Sequence, residues 1–90
     1  MAQVRFVGSY QGHTIEIAPT GWANSLTLWI DGNCAATAKC AWPWPATMTG
    51  TLEHDGVAHT VVARSFPRLL LRPKHSVEVD GQALPLTKTR

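Results

Sequence analysis

Apolar and polar residues alternate with a period of two along most of this chain, in short runs separated by turn residues. In His13-Thr14-Ile15-Glu16-Ile17, the isoleucines fall on one face and Thr14 and Glu16 on the other, as a half-buried strand requires. Ser25 to Ile30 repeats the pattern, with Leu26, Leu28 and Ile30 on one face and Thr27 and Trp29 on the other. His75 to Val79 does so again, with Val77 and Val79 inward and Ser76 and Glu78 outward. Further strands are predicted over Gln3 to Val7, closed by Gly8-Ser9, and over Asn33 to Ala41, Thr47 to Glu53, Val57 to Arg64 and Ala83 to Leu86. Leu69-Leu70-Leu71 predicts a short buried or edge strand, and Pro67 is expected to end the one before it. Thr87 to Arg90 is expected to fray.

Three Asp-Gly pairs separate these runs: Asp31-Gly32, Asp55-Gly56 and Asp80-Gly81. Asp-Gly suits the two-residue type I′ turn, which needs positive φ at both central positions and follows the twist of the paired strands. No long window carries a 3.6-residue apolar period, so helix is limited to a turn or two near the alanines of residues 35–42. The fold predicted is all-β: an antiparallel sandwich or small barrel of seven to nine short strands joined by hairpins. An internal echo accompanies it. His13-Thr14-Ile15 recurs as His59-Thr60-Val61, and each is followed by an apolar strand ending in Asp-Gly, at spacings that differ by three residues. Common hairpin grammar produces such an echo without duplication.

Ninety residues make one domain, 1–90, which buries roughly 60–65% of its unfolded surface. That leaves little chain to line a deep cleft. Charged residues are 16% of the chain, against about 25% in an average domain. Residues 1–63 carry Arg5 and Lys39 against Glu16, Asp31, Glu53 and Asp55. Residues 64–90 carry Arg64, Arg68, Arg72, Lys74, Lys88 and Arg90 against Glu78 and Asp80, so the net positive charge sits in the last third. No apolar run approaches the ~18 residues of a membrane span. The opening Met1-Ala2-Gln3-Val4-Arg5-Phe6 lacks the layout of an export signal. With two cysteines and no export signal, a cytoplasmic location with free thiols is expected.

The run Gly12-His13 with Ile15-Glu16-Ile17, a strand ending Ile30-Asp31-Gly32, Trp42, and then Val77-Glu78-Val79-Asp80-Gly81 with Leu84 resembles one domain of the Fas apoptotic inhibitory molecule family. The matching order spans about residues 12–86. The resemblance implies a compact all-β domain without catalytic machinery that acts through protein contacts. The Trp42-Pro43-Trp44-Pro45 segment, Cys34 and Cys40, and the basic Arg68 to Lys74 stretch depart from the family pattern, so no binding residue is carried over.

Candidate chemistry is sparse. The six acidic residues are scattered, and there is no glycine-rich phosphate loop or nucleophile elbow, so an enzyme is not expected and no catalytic residue is assigned. Cys34, Cys40, His54 and His59 are zinc-ligand types, but their spacings are wider than the tight pairs of structural zinc sites. On one strand the two cysteines would lie roughly 20 Å apart. No metal or cofactor is therefore expected, and a zinc-binding domain stands as the second alternative. The favoured reading is a non-enzymatic module for protein–protein interaction, self-association included. Its binding residues would be Trp22, Trp42 and Trp44, with the prolines beside the latter two stiffening an exposed aromatic patch. The first alternative is a β-barrel for single-stranded nucleic acid that uses the basic 64–75 region: Arg64, Arg68, Arg72 and Lys74 for phosphate and Phe66 for stacking.

Overall fold

The computed structural model describes residues 5–19, 25–39, 44–68 and 71–89, with the side chains of 67, 68 and 71–73 outside that description. Among the described residues there are nine strands: β1 (Arg5–Tyr10), β2 (His13–Pro19), β3 (Ser25–Ile30), β4 (Asn33–Lys39), β5 (Ala46–His54), β6 (Val57–Arg68), β7 (Leu71–Val79), β8 (Gln82–Leu84) and β9 (Thr87–Thr89). They form two antiparallel sheets, ordered β4-β3-β2-β1-β9 and β5-β6-β7-β8. Each sheet is a meander of four consecutive strands, and β9 returns to pair with β1. The inner faces meet in one core: Ile15, Ile17, Leu26, Leu28 and Ile30 from the first sheet pack against Ala46, Met48, Leu52, Val61, Ala63, Val77 and Val79 from the second. This is the small all-β sandwich expected from the alternation.

Among the described residues four tight turns carry positive φ at both central residues. Asp31-Gly32 (φ +51°, +80°), Asp55-Gly56 (+51°, +76°) and Asp80-Gly81 (+51°, +81°) are the three expected from sequence. The fourth is Gln11-Gly12 (+48°, +84°). β1 was expected to close at Gly8-Ser9, but it runs on to Tyr10, because Gly8 is a buried strand residue facing Ile15. Three other expectations are corrected. Residues 33–39 are strand with no helical turn, their alanines held in a ladder with β3, and residues 40–42 of that expectation lie outside the described residues. β6 passes through Pro67 to Arg68, and a register shift between Phe66 and Arg68 accommodates a residue that cannot donate to the ladder. Thr87–Thr89 is paired to Arg5–Val7 and so does not fray. Leu71 opens β7, while Leu69 and Leu70 lie outside the described residues.

The two meanders follow one plan. Ile15 pairs with Ile30, which sets Thr14 opposite Asp31; Val61 pairs with Val79, which sets Thr60 opposite Asp80. Gly8 pairs with Ile15 and Gly50 with Val61. Both glycines mark a corner where the other sheet crosses closely. A Cβ on Gly50 would lie 2.9 Å from the Ala35 Cβ and 3.0 Å from the Ile30 Cδ1; one on Gly8 would lie 2.8 Å from the Leu84 Cδ2 and 2.9 Å from the Pro85 carbonyl oxygen. The sequence echo is therefore a structural repeat. The three extra residues of its second copy lie between Val61 and Val79, where β6 and β7 form the longer hairpin.

Alanine in a strand ordinarily gains stability over glycine by about 0.5–1 kcal/mol. At these corners the sign reverses. Gly8→Ala and Gly50→Ala are each expected to lower the unfolding free energy in urea by about 1–3 kcal/mol through overpacking. Gly8→Ala is expected to be the more costly, because a backbone oxygen is among its close neighbours.

Candidate functional site

The repeat creates two polar clasps. Asp31 donates its backbone N–H to the Thr14 carbonyl (2.8 Å). Its Oδ1 accepts the Thr14 N–H (3.0 Å), and its Oδ2 lies 2.6 Å from the His13 Nδ1. Asp80 repeats all three contacts: N–H to the Thr60 carbonyl at 2.9 Å, Oδ1 to the Thr60 N–H at 2.9 Å, and Oδ2 to the His59 Nδ1 at 2.5 Å. The local sequence explains the arrangement. Aspartate tolerates the left-handed conformation of the turn's first position, and its short carboxylate reaches back to the facing strand. A hydrogen bond from the His13 ring, and then one from the Thr14 N–H, hold the Asp31 carboxyl below its ordinary range; the His59 ring and the Thr60 N–H do the same for Asp80.

Each clasp histidine meets an aromatic ring of the opposite meander. His13 and His54 stand edge to face, 5.2 Å between centroids and 88° between planes, with the His13 Nε2 3.1 Å from the His54 Nδ1. His59 and Tyr10 are also edge to face, at 5.3 Å and 63°. Tyr10 and His54 each close the first strand of their hairpin. The second hairpin carries two further pairs, Glu53↔Ala58 and His54↔Val57, which extend it toward His13. The His54 Nε2 in turn lies 3.3 Å from the Asp55 Oδ2. A four-member polar chain therefore runs Asp31–His13–His54–Asp55 along one end of the sandwich.

A Ser–His contact also occurs: the Ser65 Oγ lies 2.6 Å from the His75 Nδ1, and the His75 ring packs on Phe6 at 4.6 Å. Ser65 is wholly buried, so no substrate reaches its hydroxyl. Burial pushes the His75 imidazole below its ordinary range. The pair fastens β6 to β7 inside the core.

The residues singled out from sequence are dispersed. Trp44 stands just before β5 and is 70% exposed. Trp22 and Trp42 lie outside the described residues. Arg64 points outward and pairs with Glu78, so its charge is locally met. Phe66, 43% exposed, pairs across the ladder with the exposed Lys74. Arg68 and Arg72 occupy the facing ends of β6 and β7. Cys34 is an exposed thiol on a shallow groove between β4 and β5 that Asp31 and Glu53 also line, and Cys40 lies outside the described residues. Among the described residues no group of three or more His, Cys, Asp and Glu side chains is placed to hold a metal ion, so Cys34, His54 and His59 do not form the zinc set considered from sequence. Sequence spacing missed the meeting of His13 with His54, since it joins two meanders. The recurrence of His-Thr and Asp-Gly was the available signal for the clasps themselves.

Set against family models, characterised proteins and solved structures, the chain matches none of them.

The pKa directions fix an acid response. Asp31 and Asp80 titrate below the ordinary 3.8 when folded, so their stabilisation is complete above that value and is lost as pH falls from it through their folded pKa. His75 titrates below 6.5 when folded, so its contribution is complete above 6.5 and is lost as pH falls through its own folded pKa. The melting temperature is expected to fall on acidification in two stages. His75→Gln should flatten the upper stage and the double variant Asp31→Asn, Asp80→Asn the lower one, both read by circular dichroism.

Proposed function

We propose that this chain is a non-enzymatic β-sandwich module that acts by protein contact, with a second copy of itself as its partner. The observation that carries the reading is an exposed aromatic end on the second sheet. Trp44 leads into β5, and Phe66 stands near the end of β6, the strand that pairs with it. Phe66 is held on the antiparallel ladder and Trp44 lies two residues before its first pair, so little ordering entropy opposes their burial in an interface. Exposed Trp is the residue type most enriched among energetic hot spots. The low charged fraction favours self-association, and the resemblance to a family of contact domains supports the same reading. The exposed Cys34 thiol fits a reducing, cytoplasmic setting.

A second reading draws on Phe66 beside Lys74, with Arg64 on the same outward face: one stacking ring next to basic groups suits single-stranded nucleic acid. The Arg64–Glu78 pair weakens that face for phosphate.

Sedimentation equilibrium distinguishes the two. The wild type is expected to shift from 9.8 kDa toward twice that mass as concentration rises. Trp44→Ala with Phe66→Ser should remain at the single mass with an unchanged circular dichroism spectrum. A wild type that stays single but binds an oligothymidylate at low salt, and loses it in Lys74→Ala, would favour the second reading.

A further inference from the structure

We infer that His13 and His54 form a two-imidazole binding site for a divalent late first-row metal ion such as zinc. Asp31 is an ionised carboxylate that already accepts the Thr14 N–H, so the His13 Nδ1 at 2.6 Å is the donor in that contact. The Asp55 carboxylate lies at ion-pair distance, 3.3 Å, from the His54 Nε2 and favours the tautomer with the second ring's proton on that nitrogen. In the neutral rings the two remaining nitrogens, His13 Nε2 and His54 Nδ1, then both carry lone pairs, and they face one another at 3.1 Å. Two lone pairs at that distance repel, and either a proton or a metal ion between them relieves the repulsion.

The spacing suits a metal ion. With metal–nitrogen bonds of about 2.0–2.1 Å, nitrogens 3.1 Å apart subtend about 95–100° at the ion, between square-planar and tetrahedral angles. The His13 imidazole has a hydrogen-bonded carboxylate on its far nitrogen, the outer-shell arrangement that fixes the tautomer and raises the basicity of metal-bound histidine, and the far nitrogen of His54 has the Asp55 carboxylate at ion-pair distance. The two side chains are 24% and 30% exposed, so an ion reaches them from solvent and keeps open positions for water or another donor. This is a site of two protein ligands and differs from the cysteine-containing set considered from sequence. The repeat provides an internal control: the second clasp has the same His–Asp pair but meets the ring of Tyr10, which offers no second imidazole nitrogen.

The test is calorimetric titration of the untagged full chain with zinc chloride, together with imidazole nitrogen NMR. One ion per chain is expected, with the His13 and His54 nitrogens shifting and those of His59 and His75 unmoved. His54→Tyr, which copies the second clasp onto the first, should weaken binding at least ~10-fold, and Asp31→Asn about 10–100-fold, each with the wild-type circular dichroism spectrum. Absence of saturable binding, equal affinity in His54→Tyr, or a proton shared between the rings that zinc does not displace would overturn the inference.

Discussion

An aspartate at the first position of a tight turn, bonded back through both carboxylate oxygens to the strand it faces, is the constraint on which this small sandwich is organised. Asp31 and Asp80 each join a backbone amide and a histidine ring on the strand paired with the one they end. The turn conformation that lets the carboxylate reach back also sends the chain into the next strand of the meander, so one residue sets both the register of the central hairpin and the start of the edge strand. The register then follows: with Thr14 opposite Asp31 and Thr60 opposite Asp80, the inward positions Ile15, Ile30, Val61 and Val79 can only face the core.

Closure of the sandwich follows from the same repeated geometry. Two meanders of similar length pack face to face, and their borders approach at two corners. At each corner a strand residue lies against a chain segment that leaves no room for a side chain. Gly8 and Gly50 occupy these places, and both pair with the inward residue that follows their clasp threonine on the next strand. A domain of this size has few other means of holding its sheets together, since Cys34 is free and the core is built from medium-sized aliphatic residues. The divergence between the halves is concentrated where chemistry can arise. The longer second hairpin carries His54 across to His13, whereas the shorter first one presents Tyr10 to His59.

The all-β class, three of the four turns and the inward faces of His13–Ile17, Ser25–Ile30 and His75–Val79 were legible in the sequence, because period-two alternation and Asp-Gly are local signals. Gln11-Gly12 was not, since glutamine rarely takes positive φ and only the pairing of Tyr10 with His13 holds it there. Pro67 and the C-terminal Thr87–Thr89 were misplaced for a related reason: a bulge and a long-range pairing with β1 are tertiary facts that no window contains. The histidines were visible only as residue types. Their roles came from cross-sheet distances, and the echo His13-Thr14-Ile15 to His59-Thr60-Val61 gained its meaning once both copies proved to share one register.

Amide hydrogen exchange tests the duplicated clasp most directly. Thr14, Asp31, Thr60 and Asp80 sit beside exposed turns, where open loops would exchange at nearly the free-peptide rate. The clasp predicts that all four amides are protected to a degree comparable with core strand amides such as Val61. Free-peptide exchange at either aspartate or its threonine would contradict the account that these carboxylates set the register of the fold.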